Sequence, residues 1–352
     1  MKITRRNDHF IITQKDVSPY LDGCEVIGVF NPAAAFYQNE IILLLRVAER
    51  PIQKSDDILT VIFYDTKTNC IKTLDLAKND SQYDFTDKRE VRDNNKKDGS
   101  FCFLTSISYL RIARSRDGIH FKVDEKPFLF PSNEYETFGI EDSRITQIGD
   151  NYYIYFTSVS YHGICEELVS TTDFHHITYL GIIFLPENKD VVILPEKING
   201  KYYALNRPVP KATGDPSIWI SESDNLIYWG NHKYLMGLRP HNWDSVRIGP
   251  GAIPFKTSKG WLEIYHGADS RNRYCLGAVM LDKNDPTEIV ARSDEPILEP
   301  QKLESKNEFL KNVVFTCGAL CKENIIHLYY GVSDSAVAYT EIKLSDVLTI
   351  LS

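Results

Sequence analysis

The chain has 352 residues, 43% hydrophobic and 25% charged, with a formal net charge of -8. That size and balance fit a soluble globular protein with a full core, as one large all-β domain or two ordinary ones. With no tract rich in lysine and arginine, nucleic acid is excluded as a partner, and no apolar run reaches the length of a membrane span.

Residues 1–8 carry basic side chains but no apolar core behind them, so they do not read as a signal peptide. Seven cysteines with no Cys-x-x-Cys spacing read as reduced thiols in a cytoplasmic protein, and no zinc site is suggested. Tyrosine and phenylalanine are abundant, at 20 and 17, against 3 methionines, which suits strands better than a helical bundle.

Along the chain, five short polar turns each lead into an aromatic or aliphatic run. They are Tyr37-Gln38-Asn39-Glu40, Ile148-Gly149-Asp150-Asn151, Ile198-Asn199-Gly200-Lys201, Thr257-Ser258-Lys259-Gly260 and Lys322-Glu323-Asn324. Gly, Asn or Asp between apolar runs marks a hairpin. Successive turns lie roughly 50 to 65 residues apart, except for a first interval about twice as long. A second echo sets a Ser/Asp turn before an aromatic, at Ser115 to Phe121, Ser170 to Phe174 and Ser221 to Trp229. Four-stranded units repeated five times predict an all-β five-bladed β-propeller, a single domain over residues 1–352. A β-sandwich with similar hairpins is the alternative. Helical signal is confined to residues 344–351. Residues 78–99 are highly charged with no hydrophobic period and fall in the long first interval. They read as an exposed excursion that covers the site or a neighbouring subunit.

The ends of inner propeller strands converge on one mouth, so functional residues should recur at matching places. The first unit offers Asn31 in Phe30-Asn31-Pro32-Ala33, and Arg46 closing an apolar strand. The second offers Gly139-Ile140-Glu141-Asp142-Ser143-Arg144, then Tyr161-His162. In an extended strand Glu141 and Asp142 point to opposite faces while Asp142 and Arg144 share one. That pair reads either as an ion pair tying a loop to a sheet or as a catalytic acid oriented by its neighbours. Lys189-Asp190 and Asn206-Arg207 come from the third unit, and Arg247, Gly249-Pro250-Gly251, His266 and Asp269 from the fourth. The fifth adds Thr316-Cys317-Gly318 and Ser333-Asp334. Singly, Lys189-Asp190 is a surface turn, His266 a satisfied strand-end histidine and Arg247 a tether between units. Together they compose a site for a polyhydroxylated ligand with an anion beside it.

These motifs, with Leu194-Pro195-Glu196-Lys197, Tyr228-Trp229-Gly230-Asn231-His232, Gly260-Trp261-Leu262-Glu263-Ile264-Tyr265-His266-Gly267 and Asn312-Val313-Val314-Phe315-Thr316-Cys317-Gly318-Ala319, resemble the mannoside phosphorylases, glycoside hydrolase family 130. The resemblance runs from about Asn31 to Asp346 with the motifs in family order. It implies a five-bladed propeller that cleaves β-mannosides with inversion, using inorganic phosphate as co-substrate and no other cofactor, and releasing α-mannose 1-phosphate. A minority of the family are hydrolases. By position Asp142 is the family's proton donor, acting through the sugar's 3-hydroxyl; Ser143 stands where proline is frequent.

Inverting cleavage needs an acid on the leaving side and a nucleophile opposite; water needs a base, whereas phosphate is already an anion and needs a cationic cradle. The resemblance therefore casts Lys189, Arg207 and His266 as phosphate holders. Asn206-Arg207-Pro208 departs from a frequent His-Arg-Pro at its first residue. Asn31, Arg46, Glu141, Arg144, Asn206 and Asp269 become sugar-holding groups, with Tyr161 and His162 nearer the leaving sugar and Glu141 equally a partner of Arg144. The expected substrate is β-1,2-mannobiose or a short oligomannoside. An inverting β-1,2-mannosidase and a non-catalytic glycan-binding propeller are the other readings. The family often assembles, which makes residues 78–99 a candidate contact of a homo-oligomer.

Overall fold

A computed structural model describes residues 4–96, 99–300 and 312–352. The five predicted turns join antiparallel strands. Cys24–Tyr37 pairs with Glu40–Pro51, Ile140–Ile148 with Asn151–Ser160, and Val314–Lys322 with Ile325–Val332. Asn199 and Gly200 both take positive φ, at 52° and 84°, the backbone a tight hairpin turn demands and that Asn and Gly adopt most cheaply.

Each hairpin belongs to one of five larger antiparallel sheets among the described residues, four of them four-stranded and the other carrying a fifth short strand beside its path of four. The first runs Cys24–Tyr37, Glu40–Pro51, Ile107–Ser115, Lys122–Val123, counted outward. The second runs Ile140–Ile148 through Thr178–Phe184, and the third Asn188–Ile193 through Trp229–Met236. The fourth starts at Arg247–Gly249 and ends at Ile289–Arg292, with the short strand Phe255–Lys256 attached to Trp261–Ala268. In the fifth, Val314–Lys322, Ile325–Val332 and Ala336–Lys343 are completed by Arg6–Ile12 from the other end of the sequence. Inner strands pack side by side: Cys24–Tyr37 touches Val314–Lys322 and Ile140–Ile148, and the latter touches Asn188–Ile193. The apolar faces between sheets form separate clusters, for example Ile42, Leu44, Ile140, Ile154 and Phe156 between the first and second.

The Ser/Asp echo marks equivalent turns between third and fourth strands. Ser115 Oγ accepts from the Gly118 N–H and Asp117 Oδ1 from His120, and the same pattern recurs at Thr171 with Asp173 and at Ser223 with Asn225. Each turn thus satisfies its own donors before the last strand begins.

The excursion differs from expectation. Residues 78–99 are not simply irregular: Tyr83–Asp84 and Glu90–Asp93 form a three-stranded sheet with Phe101–Leu104, preceded by the hairpin of Ile58–Asp65 and Cys70–Ala77. Val91 is fully buried against Val61 and Leu76, with Tyr83 and Phe103 packed on them. Strands this short carry too few apolar positions to show a period. The predicted C-terminal helix is present at Leu344–Ile350. No helix of the described residues is long and apolar enough to cross a membrane.

Candidate active site

Four of the five inner strands break their register at the same depth. The ladder shifts between Phe30 and Ala33, Glu141 and Arg144, Lys189 and Val192, and Phe315 and Gly318. An extra residue at such a bulge turns the backbone and re-aims the side chains around it. Three polar residues sit in these breaks with left-handed φ: Asn31 at 47°, Asp142 at 42° and Asp190 at 58°. Asn and Asp tolerate this conformation better than other residues with a Cβ. The fourth inner strand instead ends at the Gly249-Pro250-Gly251 turn.

The bulge overturns the alternation expected around Asp142. Glu141 and Asp142 converge on one guanidinium: Arg46 Nη2 donates to Glu141 Oε1 at 2.7 Å and Nη1 to Asp142 Oδ1 at 3.1 Å. Asn31 Nδ2 adds a third bond to Asp142 Oδ1 at 2.9 Å. Arg144 leaves that side chain alone. Its guanidinium is fully buried and donates to the backbone oxygens of Asp142, Pro250 and Gly251, clamping the second sheet to the turn of the fourth. Glu141 is accordingly not a partner of Arg144. Its second oxygen lies 3.5 Å from Lys189 Nζ.

Burial alone would raise the Asp142 pKa, but Arg46, Lys189 and Arg144 and the Asn31 bond together carry it below the usual carboxylate range. Asp142 is therefore ionised in the free protein.

Lys189 and Arg207 face each other across the ladder, so two cations share one face of the third sheet. Both are largely buried, with side-chain exposures of 19% and 7%. Like charges so placed repel, and Asp190 holds them. Its Oδ2 accepts from Arg207 Nε at 2.7 Å, and its Oδ1 lies 3.6 Å from Arg144 Nη2. Gly249 is required beside it, because a Cβ there would stand 2.5 Å from the His266 ring and 2.7 Å from Asp190 Oδ2. His266 is buried behind Asp190, with Nε2 3.5 Å from Oδ2. Its pKa is lowered to about 3, by burial first, against the pull of Asp190, so the imidazole is neutral. Asp190 was visible in the sequence only as half of a Lys-Asp pair. The missed signal is that it begins a buried apolar strand, where an acid needs partners.

The remaining predicted residues lie apart from this centre. Tyr161 and His162 form the tip of the hairpin beyond Thr157, which pairs with Glu141; both are exposed, Tyr161 edge-on to Phe138 and His162 3.6 Å from Glu134. Asn206 belongs to a network with Asn188 and Ser221 on its own sheet. Asp269 accepts from the backbone N–H groups of Arg271 and Arg273 in a hairpin turn. Asp334, offered by the fifth unit in Ser333-Asp334 but given no role there, joins the acidic side of the centre. Burial pushes it up to about 6; Arg46 opposes the rise and Asp142 and Glu141 add to it.

The arrangement can hold a carboxyl deep in a polar pocket and an anion on the adjacent sheet. Among the described residues no cluster of three or more His, Cys, Asp or Glu is placed to hold a metal. Residues 104–352 match the family model described as beta-1,4-mannooligosaccharide phosphorylase, glycoside hydrolase family 130. The chain belongs to this family. The beta-1,2-mannobiose phosphorylase of Listeria innocua is 50% identical over 99% of this chain and 98% of its own length. A 1,2-beta-oligomannan phosphorylase of Thermoanaerobacter sp. is 39% identical over 68% of this chain and 80% of its own. The solved structure of the Listeria innocua enzyme in complex with beta-1,2-mannobiose superposes with a TM-score of 0.95, covering 100% of this chain and 99% of that one.

Buried carboxyls in the second sheet and in the turn ahead of it give the protein a pH signature. Burial pushes Glu166 up to about 8, against the Thr157 hydrogen bond and Arg144, and pushes Glu136 up to about 7 with Glu167 adding to the rise. Each holds a proton that the unfolded chain gives up in the ordinary carboxylate range, so its stabilisation is lost as pH rises through the folded value. His266 acts in the opposite sense, but its contribution is complete by its ordinary value of about 6.5. Tm is therefore expected to fall between about pH 6.5 and 8.5, and Glu166→Gln to flatten the decline above about pH 7. Scanning calorimetry across that range checks this; a wild-type Tm that climbs over the interval contradicts it.

Proposed function

We propose that this protein is an inverting β-1,2-mannoside phosphorylase, cleaving β-1,2-mannobiose or short β-1,2-oligomannosides with inorganic phosphate and releasing α-mannose 1-phosphate. The observation that carries the reading is the paired Lys189 and Arg207, buried on one face of the third sheet beside Asp142. Two cations held side by side in a buried pocket repel, and a dianion placed against both relieves that repulsion, so the pair forms a seat for one. The half-identical Listeria innocua relative, matched over the whole chain, supports the same chemistry. In this reading the five sheets close into a five-bladed propeller, one catalytic domain over residues 1–352, with Asp142, Lys189 and Asp190 at its central channel.

Asp142 supplies the proton to the departing oxygen through the 3-hydroxyl of the cleaved mannose, while Asn31 and Arg46 fix its carboxyl. It meets that role although it is ionised in the free protein. A dianion against Lys189 and Arg207 offsets the cationic field that lowers the Asp142 pKa, so arrival of the nucleophile raises its affinity for a proton. Acid and nucleophile are thereby coupled without a metal. Hydrolysis on the same scaffold is the weaker reading: the group beside the acid, Glu141, is engaged by Arg46 and Lys189 rather than free to activate water.

Paired incubations with β-1,2-mannobiose, with and without phosphate, test this. Mannose 1-phosphate formed only with phosphate is expected; free mannose at equal rates in both establishes a hydrolase instead. Lys189→Met is expected to raise the KM for phosphate ~10-fold or more, with the KM for mannobiose within about twofold, because it removes one charge-assisted contact to the anion. Equal effects on both KM values would remove Lys189 from the phosphate seat.

A further inference from the structure

The mouth has a side wall built outside the five sheets. It comes from the insert between Glu40–Pro51 and Ile107–Ser115, whose last strands are Glu90–Asp93 and Phe101–Leu104. The insert reaches the centre at two points. The Thr105 N–H donates to the Arg89 backbone oxygen at 2.9 Å, just ahead of Ser108, whose hydroxyl accepts from Arg46 Nε. On the other flank Phe101 stands edge-on to Phe138 at 5.4 Å, and Phe138 to Tyr161 at 4.7 Å.

Arg89 is half exposed at the first of these points. Asp87 grips it through Nε at 3.2 Å and Nη2 at 3.0 Å, and Nη1 makes no hydrogen bond among the described residues. Asp334 lies within electrostatic reach of both Arg89 and Arg46, and Arg89 and Asp334 each favour the other's charge. A guanidinium clamped by the Asp87 carboxylate and left with one open edge presents donors and acceptors in the pattern that two neighbouring sugar hydroxyls match.

Inversion fixes which sugar would lie there. Nucleophile and leaving group must approach the anomeric carbon from opposite faces. The cationic pair is on the third sheet and Asp142 on the second, so the leaving sugar points to the other neighbour of the second sheet, the first, which carries the insert. We propose that Arg89, clamped by Asp87, is a recognition residue for the leaving mannosyl unit, and that the insert forms the wall of that subsite. This rests on the phosphorylase reading, which sets the face the nucleophile takes.

The test runs the reaction in the synthetic direction, with α-mannose 1-phosphate as donor and mannose as acceptor. Arg89→Ala is expected to raise the acceptor KM ~10-fold while the donor KM stays within about twofold, the loss of a charge-assisted hydrogen bond on one substrate alone. An unchanged acceptor KM overturns the assignment, and so do both constants rising together, the mark of a structural role. If wild-type protein makes no disaccharide, the phosphorylase reading fails by itself. Calorimetric titration with β-1,2-mannobiose then decides the residue: weaker binding by Arg89→Ala than by wild type upholds it. Equal binding, or none by wild type, overturns it.

Discussion

Asp142→Asn is expected to lower kcat about a thousandfold, within the range that a positioned general acid supplies. The affinity for β-1,2-mannobiose, measured by calorimetry, should stay within about threefold of wild type, because asparagine keeps the shape of the carboxyl while removing its charge and its proton, and Glu141 remains to balance Arg46. Its amide oxygen still accepts from Asn31 Nδ2, and Arg46 keeps Glu141 as a partner at 2.7 Å. The split between turnover and binding is what distinguishes an acid from a sugar-holding group. A variant that keeps its turnover would place the proton source elsewhere; one that loses both together would make Asp142 a structural residue. A non-catalytic glycan binder would show no turnover in wild type at all.

Asp190→Asn is expected to cost about 3 to 5 kcal/mol of stability, the usual penalty for leaving buried charge without its counter-ion. Asp190 is fully buried and serves three partners, Arg207 at 2.7 Å, His266 at 3.5 Å and Arg144 at 3.6 Å. An amide replaces two acceptors with one and turns a donor toward groups that also donate. Chemical denaturation reads the loss. Phosphate kinetics supply a second measure, since Arg207 released from Asp190 no longer stands opposite Lys189. A variant with wild-type midpoint and wild-type phosphate KM would mean that the cations organise themselves.

How much of this was legible in the sequence depends on the range over which each feature acts. The hairpins were, because Asn199-Gly200 or Gly149-Asp150 imposes its turn within a few residues. The Ser/Asp turns were legible for the same reason. The direction of the side chains at Asn31, Asp142 and Asp190 was not. Period-two alternation assumes an unbroken ladder, and each of these residues lies in a register shift. Nor could spacing foretell that Arg144 would reach the backbone of Pro250 and Gly251, more than a hundred positions away, rather than the carboxylate two residues before it. The inserted sheet was read as a charged excursion because Val91 and Phe103 bury themselves in strands only four residues long. Asp190 escaped attention as a hub because its partners come from three different sheets.

The strand Arg6–Ile12 lies beside Ala336–Lys343, so that Arg6 faces Glu341 in the ladder. That pairing has a kinetic consequence. Four of the sheets draw on contiguous stretches of sequence and can form as the chain leaves the ribosome, whereas the fifth waits until Ala336–Lys343 has been made. Until then Arg6–Ile12 is an unpaired edge, open to adhesion with other nascent chains. Closing so long a loop is slow, because the entropy of bringing distant segments together is spent before any contact repays it. Refolding should therefore show a late phase in which Tyr339, which lies beside His9, becomes buried.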